Sequence, residues 1–322
     1  MNDNHSIAYC LLSYLCAYYR CYYPYEFVSA SLNCATSPDH IKTGTAIAKE
    51  YGVKISPPKF GASTDKYAFN KEEHLVAKGV SSIKYLNSAV ANQLYDIYPE
   101  VDKNYFCEVV IKLNNETSIN ARQLDILTKI GYFSHYGNQE TLLKIIEMCE
   151  DFKMGERASI KKDSDLFDKY KDLGRLATVN FKGVNDKGQE LKTYTVKNLR
   201  EVMKSLETEI RNRQYPDWTY KQIIDAQTEY LGYVDLITNR QEDRTKLYIH
   251  DLYPLVSKSS GEPWAYAAFT RSVGTGKEGR LTIRKFIYDK NPIFKGNVIN
   301  VNVSDLYKQK DYWYPTKYSI LT

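Results

Sequence analysis

The chain has 322 residues, enough for two or three globular units, and an apolar fraction of 43% that can form ordinary buried cores. The net charge is +5, but residues 244–322 carry 13 basic and 6 acidic side chains, so the last quarter holds the whole positive excess. No apolar stretch is long enough to span a membrane and no export signal opens the chain, which predicts a soluble, cytoplasmic protein. A basic module on a near-neutral body is typical of proteins that grip nucleic acid.

Residues 1–75 are predicted to form a helical segment. Apolar and aromatic residues recur with helical period along 6–23, and Pro24 closes this run. A second helix is expected over 25–32, and a third in SPDHIKTGTAIAKEYGV, capped by its serine or first aspartate and ended by its glycine. ISPPKFG is predicted to be an extended connector, because each proline keeps the preceding residue out of the helical region.

Tyrosine and cysteine are the unusual residue types. The 29 tyrosines are explained either by solvent-exposed surfaces on which tyrosine rings stack with planar ligands or by the codon bias of an A/T-rich genome. No CxxC spacing occurs among the cysteines, and their intervals do not place ligands on one helix face, so we expect buried free thiols and neither a metal site nor another cofactor. The six cysteines are Cys10, Cys16, Cys21, Cys34, Cys107 and Cys149.

The middle of the chain is predicted to contain a tandem module over 76–150 and a polar connector over 151–243. GVSSIKYLNSAVANQLYDI is typical of a turn, a short helix, a second turn and a helix, and two further helices are expected around GYFSHYGN. The connector is Lys-rich. Within it, NFKGVNDKGQELKTYTV predicts a small hairpin and VKNLREVMKSLETEIRNRQ predicts an exposed helix.

From residue 244 onwards the hydrophobic period changes from 3.6 to 2. Five strand-like runs are separated by Gly, Asn, Asp and Ser: LYIHDLYPLV, WAYAAFTRSV, RLTIRKFIYD, NVINVNV and YWYPTKYSIL. Short strands with Gly-rich turns favour a small closed barrel of OB type over 244–322. The predicted fold class is therefore α+β, mostly α-helical at first and ending in a five-stranded OB-type β-barrel.

The opening stretch HSIAYCLLSYLCAYYRCYYPYEFVSASL resembles the fingers segment of the bacterial family C polymerases, the DNA polymerase III alpha subunit, whose pattern runs roughly FNKSHxxAYxLLSYxxAYxKxxYPxEFxxAxL. GVKISPPKFGASTDKYAF, SSIKYLNSAVANQL and INARQLDILTKIGYFSHYGNQETLLKIIE are similar to the segments that follow in that family. The resemblance covers the first 150 residues by sequence motifs and the last 80 residues by fold and by position in the domain order. This order of domains fits the DnaE type of the family. The matching residues are His5, Ala8, Tyr9, Leu12, Ser13, Tyr14, Ala17, Tyr18, Tyr23, Pro24, Glu26 and Phe27.

The resemblance implies a fingers-like segment, a tandem helix-hairpin-helix module and an OB barrel. In the family, the metal-binding aspartates lie in a palm upstream of the fingers, together with the PHP domain and the thumb. Because this sequence starts at the fingers motif, we expect these parts to be absent and the chain not to polymerise nucleotides alone. A two-metal site needs carboxylates that hold the metals close together, and the acidic clusters DKYKD and DSDLFD are better explained as solvated helix surface.

Two groups of candidate contacts come from the resemblance. His5 falls where the family has a histidine near the incoming nucleotide, although the neighbouring lysine position is Asp3 here; a helix cap or a free histidine is the alternative. The family's GVG turn, which binds duplex phosphates, reads Tyr85-Leu86-Asn87. This loss of glycine leaves Lys84, Asn87 and Ser88 as the candidate DNA contacts, with a purely structural hairpin as the alternative. 

The third strand-like run contains the main DNA-binding candidates. Its apolar residues alternate with basic and aromatic ones, and such a face can hold single-stranded nucleic acid with cations on phosphates and rings under bases. The preceding Gly-rich loop in TRSVGTGKEGR, expected to be flexible, adds two cations, whereas the aromatic residues of WAYAAF are expected to pack the barrel. A solvated polar strand face is the alternative. The candidates are Arg271, Lys277, Arg280, Arg284, Phe286 and Tyr288.

Two functions fit these features. The first is the DNA-binding half of a DnaE-type polymerase, which grips single-stranded and also duplex DNA and supports synthesis together with a separate palm-bearing half. The second is a repurposed stand-alone DNA-binding or inhibitory protein, from a phage or mobile element, that acts on a host or defence nuclease or polymerase. Both expect a protein partner and no catalysis by the chain alone, and the Tyr-rich first helix is the expected interface.

Overall fold

The computed structural model describes residues 3–35, 37–153, 157–177, 187–189, 193–234, 236–238 and 240–321. It contains two compact units, Met1–Asp217 and Trp218–Thr322, called here the first and second unit. The helices are α1 (Asp3–Tyr22), α2 (Pro24–Asn33), α3 (Pro38–Glu50), α4 (Ser88–Ile97), α5 (Phe106–Glu116), α6 (Ala121–Lys129), α7 (Gln139–Asp151), α8 (Leu166–Lys169), α9 (Leu173–Leu176), α10 (Leu199–Asn212), α11 (Tyr220–Leu231) and α12 (Lys285–Tyr288). The strands are β1 (Lys54–Ser56), β2 (Ala68–Asn70), β3 (Leu75–Ala77), β4 (Ala158–Lys161), β5 (Thr193–Val196), β6 (Lys246–Val256), β7 (Pro263–Ser272), β8 (Glu278–Arg284), β9 (Val298–Asn300), β10 (Leu306–Gln309), β11 (Tyr312–Pro315) and β12 (Ser319–Ile320).

The first unit begins with the three predicted helices. Pro24 occupies the first turn of α2, where its missing N–H costs nothing, and it separates α2 from α1. β1, β3 and β2 form a small sheet in that order, with β1 parallel and β2 antiparallel to β3. Val28 and Leu32 of α2 pack with Ala48, Val53 and Val76, so α2 and α3 share one core with this sheet.

The rest of the first unit is built on α4–α7 and α10. Buried side chains of α5, α7 and α10 pack on one another, and side-chain caps start α4, α6 and α7. The expectation that residues 196–214 form an exposed helix was wrong, because one face of α10 is buried through Leu199, Val202, Met203, Leu206 and Ile210. β5 pairs with β4, and the rest of the hairpin predicted over 180–196 lies largely outside the described residues.

The prediction of six buried thiols was wrong for four of them. Cys107 and Cys149 are buried, and burial raises the pKa of both thiols. The exposed cysteines are Cys10, Cys16, Cys21 and Cys34. Three of these belong to α1, whose apolar side chains are largely uncovered by the described part of the chain, so the apolar pattern of this helix does not signal burial here.

The second unit is a curled seven-stranded sheet, a half-barrel in the order β10-β11-β8-β7-β6-β9-β12. Its form is compatible with an OB-type barrel, but the expected count of five strands was wrong. The third run leaves the sheet after Arg284 and continues as α12, and the fifth run divides into β11 and β12 after Pro315, which has no N–H for a ladder. β10 was not predicted, because its edge position leaves most of its side chains exposed without alternation.

The core of the second unit lies on one side of β6–β9. Ile249, Ala268, Leu281, Ile283 and Ile299 are buried together, and β6 and β7 form the longest antiparallel pair. α11 is capped at its start by Thr219 and packs beside this sheet through a second cluster that includes Ile224. Among the described residues, no helix has both the length and the apolar character that crossing a membrane requires.

Candidate nucleic-acid interface

The pairing of β7 with β8 fixes which side chains share a face of the sheet. Arg284 stands opposite Ala265, and Arg280 stands opposite Phe269. Because strand residues alternate between faces, both arginines lie on the side opposite the buried Leu281. The structure therefore places Arg280 and Arg284 on one face, called here the basic face.

Aromatic rings hold both arginines of the basic face. The guanidinium carbon of Arg280 lies 4.8 Å from the centre of the Tyr312 ring and 5.7 Å from that of Phe269. The guanidinium carbon of Arg284 lies 5.7 Å from the Tyr314 ring, and its Nη2 is 3.5 Å from a side-chain oxygen on β10. Neither arginine forms an ion pair with a carboxylate within the described ranges, so both charges are available to an anion.

An open groove of about 810 Å³ adjoins the basic face. Trp264 is 49% exposed and Phe286 is 59% exposed, so two large ring faces are accessible to a planar ligand. This groove, called here the aromatic groove, also has Asp289 and Gln309 as hydrogen-bonding groups. Its lining residues are Trp264, Arg284, Lys285, Phe286, Asp289, Gln309, Lys310, Tyr312 and Tyr314.

Three aromatic residues differ in role from their predicted placement. Trp264 was expected to pack in the barrel core, but it lines the groove. The alternation of apolar and polar residues along β7 does not by itself reveal this exposure. Phe286 reaches the groove from α12 and not from a strand. Tyr288 stacks on Tyr266 at a ring-centre distance of 3.8 Å and donates a hydrogen bond to the carbonyl of Ile293, so it stabilises the fold.

The two cations predicted next to the third run lie outside the groove lining. Arg271 forms an ion pair with Glu278 at 3.4 Å, and Lys277 is exposed in the turn between β7 and β8. This turn was expected to be flexible. Its Gly274 N–H donates to the carbonyl of Asp243 at 3.1 Å, and a Cβ at position 274 would lie 2.6 Å from the Arg240 carbonyl oxygen, so the turn is packed tightly against neighbouring backbone.

The first predicted hairpin turn presents a different cluster of cations. Asn87 accepts a hydrogen bond from the N–H of Val90 at 2.9 Å and thereby caps α4, while Lys84 and Ser88 are exposed. Lys84 lies beside Tyr85, together with Arg122 from the start of α6. The sequence analysis did not identify Arg122, because Arg122 and Tyr85 are far apart in the chain.

The side chains of Asp3 and His5 lie outside the described part of the structure, although their backbone belongs to α1. Nothing is therefore added to the predicted nucleotide contact of His5. Within the described ranges, no group of His, Cys, Asp and Glu side chains could hold a metal ion.

α1 exposes a long apolar surface. A groove of about 710 Å³ lies between α1 and its neighbours, where Arg20 pairs with Glu50 at 2.5 Å and stacks over the ring of Tyr51. The exposed apolar side chains of α1 are Ile7, Tyr9, Leu11, Leu12, Tyr14, Leu15, Tyr18, Tyr19 and Tyr22. So many large exposed side chains on one helix exceed the singly scattered apolar residues that the surface of a monomer normally carries.

Comparison with known proteins identifies relatives for this chain. The DNA polymerase III subunit alpha of Treponema pallidum is 25% identical over 276 residues, which cover 83% of this chain and 22% of that protein. The subunits of Ureaplasma parvum and Thermus aquaticus are 23% and 28% identical over 229 and 147 residues, covering 65% and 45% of this chain. The chain spans 23% and 12% of these two relatives, and no protein-family profile matches it. These similarities support a relationship between this chain and the DNA polymerase III alpha subunits.

Proposed function

We propose that this chain is a DNA-binding part of a DnaE-type replicative polymerase, which grips the template and supports synthesis together with a separate palm-bearing half. The observation that carries the proposal is the basic face with its adjoining aromatic groove. The relatives of this chain are named as DNA polymerase III alpha subunits, and this favours DNA as the nucleic acid that the basic face and the aromatic groove bind. The chain itself supplies no catalytic group in this proposal.

Single-stranded DNA fits the aromatic groove by shape and charge. Arg284 and Lys310 offer cations to phosphates, while Trp264 and Phe286 offer accessible ring faces to unstacked bases. Lys285 also lines the groove, but it forms an ion pair with Asp289 at 2.6 Å. Bases inside a duplex are stacked on one another and cannot reach such rings, whereas those of a single strand can. Stacking is tolerant of sequence, so the groove is expected to bind without strong sequence preference.

The apolar surface of α1 supports the need for a protein partner. Between Ser6 and Tyr22 the helix has Arg20 as its one charged residue, and its apolar rings are distributed around the axis. A helix that is apolar on all sides is stable in water only when other elements cover it. In the proposed assembly, the palm-bearing half covers α1.

Titration of fluorescent oligo-dT with the full chain tests the DNA-binding part. We expect salt-sensitive binding, and we expect Arg284→Ala with Phe286→Ala to weaken it by about tenfold or more, since one stacked base and one phosphate contact are lost. Phe294→Ala with Lys295→Ala is the matched control, because Phe294 is 64% exposed and belongs to the same unit but not to the groove. Equal affinities of the two double variants would refute a role for the groove.

The alternative is a repurposed stand-alone protein that binds DNA and inhibits a host or defence enzyme. The replacement of the glycine-bearing turn by Tyr85-Leu86-Asn87 favours it, because this change alters a DNA contact of the family. Primer extension discriminates between the two proposals. Stimulation of a palm-bearing polymerase fragment by this chain supports the split polymerase, whereas inhibition of an intact polymerase or nuclease supports the repurposed protein.

A further inference from the structure

The aromatic groove contains an ion pair. Lys285 begins α12 and Asp289 follows its last residue, and the Lys285 Nζ is 2.6 Å from the Asp289 Oδ2. Both side chains line the groove, and each is about half exposed. Because an exposed pair of this kind adds little to the stability of a fold, stability gives no reason for a carboxylate in a groove that is proposed to receive phosphates.

Half of the Asp289 carboxylate remains available to a ligand. Its Oδ2 accepts the hydrogen bond from Lys285, whereas its Oδ1 accepts none from the described residues. The same hydrogen bond raises the pKa of Lys285, so the lysine keeps its positive charge and offsets the charge of the carboxylate. The pair can therefore present acceptor oxygens in the groove without a net charge that would repel a nearby phosphate.

The ion pair forms a row of hydrogen-bonding groups beside an exposed ring. Along this row Asp289 offers two acceptors, Oδ1 and then Oδ2, and Lys285 offers a donor, since its ammonium has two further hydrogens. Phe286 precedes Asp289 by three positions, so both lie on the same side of the helical turn, and the Phe286 ring is exposed to the groove. A base that stacks on Phe286 can bring its edge to this row.

Guanine has the Watson–Crick edge that complements the row. Its 2-amino group and its N1–H are adjacent donors, and its O6 is the acceptor that follows them. Cytosine and adenine have a single donor group on this edge, and thymine has one donor between two acceptors, so none of these bases satisfies both carboxylate oxygens. Unpaired bases expose this edge, whereas a duplex hides it in base pairs.

We propose that Lys285 and Asp289, called here the edge pair, select an unpaired guanine of the DNA strand in the aromatic groove, with the guanine ring stacked on Phe286. This inference rests on the proposed function, since it assumes that the groove binds single-stranded DNA. The other positions of the strand remain tolerant of sequence, because stacking alone holds them.

Competition between oligonucleotides tests this preference on the full chain. We expect an oligo-dT strand with one central guanine to bind about tenfold more tightly than oligo-dT, which is the discrimination that a bidentate contact to a base edge gives. A strand with hypoxanthine at that position should lose most of this gain in affinity, because hypoxanthine lacks the 2-amino group but still stacks. We expect Asp289→Asn to bring the ratio of the guanine-strand and oligo-dT affinities to about one, since the amide replaces one acceptor with a donor.

Asp251→Asn is the matched control. Asp251 belongs to the same unit and pairs with Lys295 at 3.0 Å, but it does not line the aromatic groove, so this variant should keep the guanine preference. Both ion pairs are exposed, and neither substitution should unfold the chain.

The outcomes separate the edge pair from the proposed function. Equal wild-type affinities for the guanine strand and oligo-dT would overturn the edge pair, and so would a guanine preference that persists with hypoxanthine or in Asp289→Asn; each leaves DNA binding by the groove intact. Binding of neither strand would refute the proposed function as well. If guanosine monophosphate displaced the guanine strand as effectively as an unlabelled copy of that strand, the site would belong to a free nucleotide and the inference would be wrong.

Discussion

Glu207 of α10 fixes the start of α5, and its removal should destabilise the first unit selectively. The carboxylate is fully buried and accepts hydrogen bonds from the N–H groups of Phe106 and Cys107 at 3.0 and 2.8 Å. Arg211 donates to the same carboxylate from Nε at 2.8 Å and from Nη2 at 2.6 Å, and its Nη1 donates to the carbonyl of Tyr136. The Glu207–Arg211 pair thus links three separate segments of the unit.

Glu207→Gln keeps the shape of the side chain but replaces one acceptor oxygen with a donor. The new amide N–H faces either a backbone N–H or the Arg211 guanidinium, so at least one buried donor loses its partner, at about 1–3 kcal/mol. The charge pair is lost as well. Because Arg211 is 31% exposed, water restores part of its solvation, and the expected total of about 2–3 kcal/mol is smaller than that of a fully buried pair.

Urea unfolding of the two units can be followed separately. All three tryptophans, Trp218, Trp264 and Trp313, belong to the second unit, whereas the long helices α1–α7 and α10 dominate the circular dichroism of the first. We expect Glu207→Gln to lower the circular dichroism midpoint by roughly 1–1.5 M urea, for an m-value near 2 kcal/mol per M, and to leave the fluorescence midpoint unchanged.

Glu147→Gln is the matched control for this experiment. Glu147 also pairs with two cations, Lys144 and Lys169, but it is 42% exposed, so its removal should cost less than about 1 kcal/mol. An unshifted circular dichroism midpoint for Glu207→Gln, or a shift equal to that of Glu147→Gln, would refute the reasoning that this buried carboxylate holds α5.

Two further predictions concern acid stability and thiol access. Burial opposes ionisation of Asp243, but its ion pair with Lys246 and its hydrogen bond from Thr238 outweigh this effect and hold the pKa of Asp243 below its usual 3.8. The ionised Asp243 therefore stabilises the fold above pH 3.8, and this contribution is lost as the pH falls through the lower pKa of the native state. Asp243→Asn should lower the fluorescence-detected stability at neutral pH and flatten its loss below pH 3.8, and an acid profile identical to the parent's would contradict this. A thiol reagent should modify four cysteines of the folded chain and reach Cys107 and Cys149 only after unfolding, as counted by mass spectrometry; six fast thiols would contradict their burial.

Local patterns in the sequence were sufficient for much of the fold. Pro24, the helical period of the apolar residues and the change of hydrophobic period near residue 244 each act within a few neighbours, so the long helices and the longest strands could be predicted. The residue pattern of the opening helices indicated the polymerase relationship that the comparisons support. The alternation around Leu281 also placed Arg280 and Arg284 on one face.

Contacts between distant segments decided what the sequence patterns could not. The third run becomes α12 because Ile287 and Tyr288 pack onto the barrel core from a helix, and a period of two does not reveal this bend. Trp264 is exposed at the groove although its strand suggested packing.

The sequence by itself thus determined the type of most long elements, the basic character of the last quarter and the family resemblance, because propensity, charge and motif are local. The tertiary structure alone decided which charges act together: Arg122 reaches the ring of Tyr85, and Glu207 reaches the start of α5 about a hundred residues away. Such pairings depend on how helices pack, and packing follows from the shape of the whole core and not from any short stretch of sequence.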